Sequence, residues 1–315
     1  GKDIPYPKDD VLFIEEGVYN GLFEYENTIL ACYVNGKSKQ DSLVDVLRYL
    51  NRGIPHYTQN VWDNLHFYVE PLTSNVYRGE YTKFLFPDHA EYKVSSCCLV
   101  PFSGVEANRR YLLNTRYVNY SIDPQGYYHM RPEGANVKTA NGLTFLNAAY
   151  QPTEGVRVLS EEYERQPSNI EGLEDVRVFW HNGALHCTAS SKNITSDGRI
   201  VIAHGRYDPY LSHISQLRVL EPPRPSACEK NWIYVPARHL KSEQAKNGAM
   251  NFIYGWNPME IGAIQPDSNQ LIIHTTYSTP AVFNRFRGSS PLCEHEGKVY
   301  AVAHFVKYTQ PRVYY

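Results

Sequence analysis

The chain has 315 residues, of which 42% are hydrophobic and 20% are charged, and these globular values exclude general disorder. A formal net charge of −2 provides no basic field for non-specific nucleic-acid binding, so no nucleic-acid partner is predicted. The 26 Tyr, 12 Phe and 4 Trp favour β-strands and also offer flat surfaces on which sugar rings rest.

The N-terminal 88 residues have a mixed pattern. Residues 10–35 contain two extended runs, VLFIEEG and GLFEYENTILACYVNG, whose Gly and Asn boundaries predict paired strands. Residues 42–52 place Leu and Val at helical spacing behind Asp41 or Ser42 as a possible N-cap, which predicts a helix. Residues 53–88 are irregular, and no element is predicted there.

From residue 92 onward, short strands alternate with tight turns, such as the one at 123–126. The predicted strand runs are KVSSCCLVPF, RRYLLNTRYVNYSI, YYHMR, VRVFW, ALHCTAS, GRIVIAHGRY, QLRVLEP, NWIYVPA, NFIYGW, NQLIIHTTY and SPLCEHEGKVYAVAHFVKY. Short strands without intervening helices favour an antiparallel fold that leaves few exposed edges, such as a β-propeller. A sandwich or jelly roll is the alternative from pattern alone.

Six cysteines show neither a CxxC pair nor metal-ligand spacing. The adjacent Cys97 and Cys98 lie in a strand-like run, where buried free thiols are expected, and this favours a reducing, cytoplasmic compartment. No apolar stretch of about 18 residues is present, so no membrane segment is predicted. The sequons at Asn119 and Asn193 would matter only in a secreted chain.

Polar residues recur just before or after the predicted strands. In a propeller the innermost strands line a central channel, so these clusters are expected to converge on one axial pocket. The alternative is that they are ordinary strand-end residues with satisfied hydrogen bonds. The residues are Arg116, Asn119, Glu174, Asp175, Arg177, His204, Arg206, Asp208, Glu229, Lys230, Asn231, Arg287 and His304.

Within these clusters, Glu174-Asp175-Val176-Arg177 combines two carboxylates with an arginine at a strand entrance. Such a group can be an ordinary ion pair that pins a loop. It can also be a site in which Arg177 holds an anion while a carboxylate transfers a proton.

Several motifs resemble those of a known family. Residues 174–177, followed by a strand and HNGALHCTAS, resemble the Glu-Asp-Pro-Arg motif of the five-bladed β-propeller enzymes related to β-mannoside phosphorylases, and of the β-mannosyltransferases similar to them. KNWIYVP at 230–236, GSSP at 288–291 with VAH at 302–304, and RYVNY at 116–120 are similar to further segments of that family in the same order. Val176 departs from the pattern, because the family has Pro there.

The resemblance covers residues 95–307 and implies an all-β, five-bladed β-propeller, to which residues 89–315 are assigned. Residues 1–88 lie outside the match and are predicted to be a mixed N-terminal extension, which contains the helix and for which a ring-closing strand at 21–35 is one option. The resemblance further implies inverting glycosyl transfer to an acceptor other than water, on a mannoside-like carbohydrate or glycoconjugate. No cofactor and no metal are predicted; phosphate, a sugar phosphate or a nucleotide sugar would be the co-substrate.

The resemblance also assigns roles within the pocket. Asp175 matches the acid that protonates the glycosidic oxygen, and Arg177, Lys230 and His304 match positions suited to binding the anion. The other residues predicted to bind substrate are Arg116, Asn119, Glu174, Arg206, Asp208 and Arg287.

Three other functions stay open, one of which is a structural or scaffold propeller whose central pocket is plugged. An inverting glycoside hydrolase needs a second carboxylate to activate water, for which Asp208 or Glu229 is the candidate. A non-catalytic carbohydrate-binding propeller would keep the aromatic residues but would not need Asp175 beside Arg177 and Lys230. The sequence shows no HExxH motif, nucleophile elbow, P-loop or dinucleotide fingerprint, which argues against zinc protease, elbow-type hydrolase, kinase and dehydrogenase chemistry.

Overall fold

The protein is described by a computed structural model. It describes residues 5–9, 15–30, 33–34, 39–54, 56–69, 91–103, 106, 108–123, 125–240, 248–309 and 312–315.

The N-terminal region is helical where it is described. Its helices are α1 (Phe23–Leu30), α2 (Lys39–Asn51) and α3 (Thr58–Asp63), with a π-helical turn at Val18–Leu22 and a 3-10 turn at Asn64–Phe67. The helix predicted at 42–52 is confirmed by α2, but α2 begins at Lys39, so Asp41 and Ser42 lie within the helix and neither is its N-cap. The paired strands predicted over 10–35 are wrong over α1; residues 10–14, 31–32 and 35 of that prediction lie outside the described residues.

The error over α1 has a simple cause. The β-branched and aromatic side chains of this segment favoured a strand, but Leu22, Tyr25 and Ile29 recur every three to four residues. That spacing puts all three on one face of a helix, and they join a hydrophobic cluster with Val46 and Tyr49 of α2. Tertiary packing therefore outweighed local strand propensity.

The helical region packs against the C-terminal part of the chain. Trp62 makes an edge contact with Phe305 at a ring-centroid distance of 4.8 Å, and Lys307 forms a 2.7 Å ion pair with Asp63. Val282 lies in the same hydrophobic cluster as α1 and α2. The division of the chain at residues 88 and 89 stays a prediction.

Beyond residue 92 the structure is almost entirely β, as predicted. The strands are β1 (Lys93–Pro101), β2 (Tyr111–Val118), β3 (Tyr120–Ile122), β4 (Tyr128–Met130), β5 (Val137–Leu146), β6 (Arg157–Val158), β7 (Ser160–Glu161), β8 (Ile170–Glu171), β9 (Glu174–His181), β10 (Ala184–Ser191), β11 (Val201–Asp208), β12 (His213–Leu220), β13 (Ile233–Val235), β14 (Asn251–Trp256), β15 (Met259–Ile264), β16 (Leu271–Tyr277), β17 (Arg287–Gly288), β18 (Cys293–His295), β19 (Lys298–Tyr300), β20 (Ala303–His304), β21 (Val306–Lys307) and β22 (Val313–Tyr314).

Three mainly antiparallel sheets follow one another along the chain. The first has the order β1-β2-β5-β6, with β8 added parallel to β5; the second has the order β7-β12-β11-β10-β9, with β7 parallel to β12; the third has the order β13-β14-β15-β16. Four two-stranded pairs accompany them: β3 with β4, β17 with β20, β18 with β19, and β21 with β22. Within the described residues no sheet closes on itself, and the number of blades stays a prediction.

The second sheet is covered on both faces. Val178 of β9 belongs to the hydrophobic core shared with the first sheet, whereas the next residue, Phe179, belongs to the core shared with Trp232 and Phe252 of the third sheet region. Successive strand residues point to opposite faces, so this alternation places the second sheet between its two neighbours. Face-to-face stacking of consecutive sheets is the packing expected of propeller blades.

Most of the longer strands agree with the sequence analysis, but β5, β15 and the two-residue strands β6, β7, β8, β17 and β22 were not predicted. No helix among the described residues is long and apolar enough to cross a bilayer.

Candidate functional site

A cavity of about 1240 Å³, called here the central cavity, is lined by residues of β1, β2, β9, β14, β15, β17 and β20 and of the segments between them. Its inner part continues as a second cavity of about 180 Å³, called here the deep pocket, whose wall includes the buried Cys98 and Asn114. Both cavities share the lining residues Ser96, Arg116, Asp175, Asn231, Ser289 and His304.

Extra residues in two strands shape the wall of this cavity. In β9, Glu174 and Arg177 are three residues apart, yet they face Ser190 and Thr188, which are two apart, so β9 bulges at Asp175. In β1 the register shifts in the same way between Val94 and Cys97, which places a bulge at 95–96. A bulge bends its strand and re-aims a side chain. The two bulges bring Ser96 and Asp175 into contact across the cavity wall.

Asp175 is held by one of its two carboxylate oxygens. Oδ1 accepts a 3.1 Å hydrogen bond from Ser96 Oγ and a 3.0 Å hydrogen bond from Arg116 Nη1. No described residue donates a hydrogen bond to Oδ2. The backbone of Asp175 is left-handed, with φ of 52°, a conformation that costs a non-glycine residue free energy and is often found at functional sites. Asp175 is therefore oriented through Oδ1, and Oδ2 is left for a ligand.

The surroundings of Asp175 keep it ionised. Partial burial raises the pKa of its carboxyl, but the charge of Arg116, the hydrogen bond from Ser96 and the charges of Lys230 and Arg177 together lower that pKa below its ordinary value. In the free protein Asp175 is accordingly in the proton-accepting form. Its predicted role as a proton donor stays a prediction.

Glu174 lies behind the cavity wall. Its Oε1 accepts a 2.7 Å hydrogen bond from Arg116 Nη2, and its Oε2 accepts a 3.1 Å hydrogen bond from Lys230 Nζ. Both oxygens are thus engaged by cations. This arrangement fixes Arg116 and Lys230 at the wall, so Glu174 supports the two cations rather than facing a ligand.

The deep pocket contains incompletely satisfied arginines. Nη2 of Arg177 donates to Asn231 Oδ1 at 3.1 Å and to the carbonyl of Gly288 at 2.6 Å. Its Nη1 atom is buried without a hydrogen-bond partner among the described residues, and so is Nε of Arg116. A buried guanidinium N–H without an acceptor costs free energy, which an anionic oxygen would recover.

Two further cavity residues, His304 and Arg287, lie near Arg177. Nδ1 of His304 is 2.6 Å from Ser289 Oγ. Burial and the nearby charges of Arg177 and Arg287 lower the pKa of His304, so its ring is neutral at neutral pH and acts by hydrogen bonding. Nη1 of Arg287 donates to the carbonyl of Phe286, and the rest of this exposed side chain faces the cavity.

Glu229 begins the segment that supplies Lys230 and Asn231. Its buried carboxylate accepts hydrogen bonds from Trp232 Nε1 at 2.8 Å and from Tyr254 OH at 3.2 Å. Asn231 then adopts a left-handed backbone with φ of 66°, the second such residue at the cavity after Asp175. Glu229 thereby anchors the segment while Asn231 turns towards Arg177.

The outer part of the central cavity is aromatic. A third bulge shapes it, because Ile253 and Gly255 of β14 face the adjacent residues Ile261 and Glu260 of β15, which leaves Tyr254 as the extra residue. Glu260 accepts two hydrogen bonds from Arg224, one of them 3.1 Å long. The aromatic lining residues are Tyr254, Trp256, Phe286, Tyr308 and Tyr314.

The structure brings most of the predicted site residues together. Arg116, Asp175, Arg177, Lys230, Arg287 and His304 line the two cavities, with Glu174 directly behind them.

Besides Glu174, three predicted site residues lie outside both cavities. Asn119 is buried, and its amide bonds the backbone of Arg131, Asn136 and Lys138. Arg206 is exposed on β11. Asp208 accepts hydrogen bonds from the backbone N–H groups of residues 210 and 211, so it caps the turn after β11. Asp208 is therefore not placed beside Asp175, where a hydrolase's second carboxylate would be needed.

Other cavity residues were not among the predicted site residues. Ser96 and Ser289 are ordinary serines in sequence, and their role depends on a bulge and on a pairing across the cavity. Arg224 and Glu260 are 36 positions apart in sequence, so their ion pair has no local signal. Asn231 was noted as polar, and its left-handed backbone is a conformation that asparagine tolerates well.

The two sequon asparagines are inaccessible. Asn119 and Asn193 are 2% and 1% exposed, and both side chains are hydrogen-bonded. A glycan cannot be attached to either of them in the folded chain. Among the described residues there is no group of three or more His, Cys, Asp and Glu side chains suited to holding a metal ion.

Comparisons with known proteins give limited similarity. No family model matches the chain, and a search of curated proteins finds no match. Among solved structures, the chain is similar to a thermostable family-43 glycoside hydrolase with 11% identity and a TM-score of 0.37, over 71% of this chain and 72% of that one. It is also similar to Trypanosoma rangeli sialidase in complex with sialic acid, with 8% identity and a TM-score of 0.27, over 67% of this chain and 39% of that one. These values are too low to assign this chain a family or an activity.

Proposed function

We propose that the protein is a carbohydrate-active enzyme that transfers a glycosyl group between a phosphate-bearing partner and a hydroxyl acceptor. The reaction takes place in the central cavity of a β-propeller, with five blades as the sequence motifs imply. Asp175 is the proton-transfer group, and the arginines of the deep pocket hold the phosphate.

The observation that carries this proposal is the pair of unpartnered guanidinium N–H groups. Arg116 and Arg177 come from different sheets, and both line the deep pocket. Each keeps one buried nitrogen, Nε of Arg116 and Nη1 of Arg177, that donates to no described residue. A tetrahedral oxyanion presents several acceptor oxygens to donors converging from different directions, which is the recognition for which a guanidinium is suited.

The ionised state of Asp175 fits the synthetic direction. Oδ2 takes the proton of the acceptor hydroxyl, the acceptor oxygen forms a bond to the anomeric carbon, and the bond from that carbon to the phosphate oxygen breaks. The phosphate leaves with the bonding electron pair and needs no proton, because the adjacent cations compensate its charge. In the reverse direction the protonated Asp175 gives its proton to the glycosidic oxygen, which is the acid role implied by the family resemblance.

The aromatic outer part of the cavity suits a carbohydrate. Aromatic faces pack against the C–H faces of pyranose rings, while nearby carboxylates, amides and guanidinium groups bond the hydroxyls. Trp256 and Tyr254 provide such faces beside the Arg224 and Glu260 pair. A cavity of about 1240 Å³ has room for a donor and an acceptor together.

Glycoside hydrolysis is the second candidate, and the carboxylates of the wall favour it. Besides Asp175, Glu229 and Glu260 line the central cavity from other elements. An ionised Asp175 could activate water while one of these glutamates protonates the leaving oxygen. Both glutamates already accept two hydrogen bonds from neighbouring side chains, so either would have to give up a partner.

The deciding experiment is a donor screen with wild type and Asp175→Asn. Both proteins are incubated with sugar 1-phosphates, nucleotide sugars, and β-mannosides with and without inorganic phosphate, each with a mixed acceptor panel. The proposal expects turnover that depends on a phosphate-bearing partner, with a loss of about 10²–10⁴-fold in Asp175→Asn while the donor still binds. Release of free sugar without phosphate would establish the hydrolase instead, and binding without turnover in either protein would indicate a carbohydrate-binding propeller.

A further inference from the structure

A buried asparagine lies directly behind the two carboxylates of the site. Asn141 of β5 has no exposed surface, and its Nδ2 donates to the carbonyl of Leu173 at 2.8 Å, immediately before Glu174 and Asp175. The same Nδ2 donates to Glu161 Oε1 at 3.3 Å. Both amide hydrogens of Asn141 are therefore assigned to acceptors in different segments.

The oxygen of this amide is also fixed. Oδ1 of Asn141 accepts a 3.2 Å hydrogen bond from Nδ2 of Asn114, whose own Oδ1 accepts from Tyr207 OH at 3.1 Å. Asn114 lines the deep pocket. Position 141 therefore requires a short planar side chain with two N–H donors and one oxygen acceptor. Among side chains of that length only the amide of asparagine has this combination.

A second asparagine holds the same segment from the other side. Oδ1 of Asn193 accepts a 3.3 Å hydrogen bond from the backbone N–H of Gly172, which is adjacent to Leu173. Gly172 has φ of 95°, and a Cβ there would lie 2.2 Å from the carbonyl oxygen of Thr139. The chain at 172–173 therefore presses directly onto β5, with one buried amide on its N–H and another on its C=O.

The segment so fixed leads straight into the bulge at Asp175. Within that bulge Asp175 has a left-handed backbone, and residues 175 and 176 have no paired residue on β10. The position of the bulge therefore depends on the hydrogen bonds that fix the residues before and after it. Thr139, two residues from Asn141 on β5, also accepts a hydrogen bond from Arg116, the residue that holds Asp175 and Glu174. One strand therefore supports both the backbone and the charge partner of Asp175.

We propose that Asn141 is a positioning residue, which sets the place of the Asp175 carboxylate by holding the Leu173 carbonyl. This inference rests on the proposed function in taking Asp175 as the proton-transfer group. Asn141 does not line either cavity, so it acts through Asp175 and not on the ligand.

The test compares Asn141→Ala and the milder Asn141→Ser with Asn251→Ala. Asn251 is a matched control because it is equally buried and also bonds a backbone carbonyl, that of Ala249, with no contact to Asp175. The first readout is the pKa of Asp175, followed by carboxyl ¹³C NMR and assigned by its absence from Asp175→Asn. We expect that pKa to rise towards its ordinary value in the Asn141 variants and to stay unchanged in Asn251→Ala.

The second readout is steady-state kinetics with the active donor. A carboxylate displaced by about 1 Å lowers kcat by about 10²-fold, whereas KM changes little because the ligand contacts are intact. An unchanged Asp175 pKa in a folded Asn141 variant would overturn the inference. So would the failure of both Asn141 variants to fold while Asn251→Ala folds, since Asn141 would then be required for folding. The NMR titration tests the role of Asn141 even if no donor turns over. A failure of this inference can therefore be distinguished from a failure of the proposed function.

Discussion

Arg116 Nη1 donates a 3.0 Å hydrogen bond to Asp175 Oδ1, although the two residues are 59 positions apart in sequence. The same guanidinium bonds Glu174, so one arginine from the first sheet holds both carboxylates at the entrance of the second. Arg116 thereby connects Asp175 in the cavity wall and Glu174 behind that wall to a different sheet, so the two carboxylates are held by more than a local ion pair within their own strand.

Removing Arg116 is expected to raise the pKa of Asp175 and to lower the free energy of unfolding. In Arg116→Ala the nearly buried Glu174 keeps only Lys230 as an ionic partner among the described residues, so the free energy of unfolding should fall by roughly 3–5 kcal/mol. The pKa of Asp175 should rise, because its strongest cationic partner is lost. Chemical denaturation and a carboxyl NMR titration measure the two effects. An unchanged pKa of Asp175 in the folded variant would contradict this account of its ionised state.

Arg177 is expected to determine phosphate affinity. Arg177→Ala removes the unpartnered Nη1 donor from the deep pocket and should weaken binding of inorganic phosphate at least about tenfold, as expected for a charged hydrogen bond of about 1.5–3 kcal/mol. Arg206→Ala is the control, because it removes an exposed arginine outside both cavities. Isothermal titration calorimetry at fixed ionic strength measures the affinities. Equal loss in both variants would indicate a general charge effect rather than a site.

The pH dependence of stability and activity due to Asp175 follows from the direction in which folding shifts its pKa, which is downward. A carboxyl whose pKa is lowered by folding contributes stability that is present above its unfolded pKa and is lost as pH falls through the folded pKa. The synthetic reaction should accordingly keep its ionised base from neutral pH down to weakly acidic pH. A rate profile for kcat at saturating donor checks this, and a loss of the base form near neutral pH would contradict it.

The stability that Glu161 contributes should depend on pH in the opposite direction. Burial raises the pKa of Glu161 to about 7 from its ordinary value of 4.5, and the hydrogen bond from Asn141 and the charge of Arg165 only partly oppose this rise. Since the folded chain binds this proton more tightly, the stability it contributes is full below pH 4.5 and is lost as pH rises through about 7, a fall of about 3 kcal/mol.

Glu161→Gln tests this directly, because the amide keeps the shape of the side chain and removes its titration. Urea denaturation at several pH values between 4.5 and 8 should show a shallower slope of unfolding free energy in the variant than in wild type. Parallel slopes in the two proteins would mean that Glu161 titrates normally in the folded state.

Trp256 is expected to act on carbohydrate binding more than on chemistry. Trp256→Ala removes an aromatic face from the outer cavity and should raise KM for the sugar about tenfold with little change in kcat. Tyr210→Ala is a suitable comparison, since Tyr210 is 55% exposed and does not line the central cavity. A fall in kcat at constant KM would instead place Trp256 at the reacting centre.

The sequence by itself determined most of the longer strands beyond residue 92, the existence of helix α2 and most of the charged residues of the cavity. These features have local causes: alternating apolar residues, Gly and Asn at turns, and helical spacing of Leu and Val. Asp175, Arg177, Lys230 and His304 could be selected because charged residues stood beside recognisable strand ends.

The tertiary structure alone decided which of those residues meet. The bulges that aim Ser96 and Asp175 depend on register against neighbouring strands, and helix α1 depends on packing against α2. The same is true of β5, the strand that supports the catalytic candidate through Asn141 and Thr139. Strand register, burial and long-range hydrogen bonds are set by contacts between segments that are distant in sequence, so they cannot be predicted from a local sequence pattern.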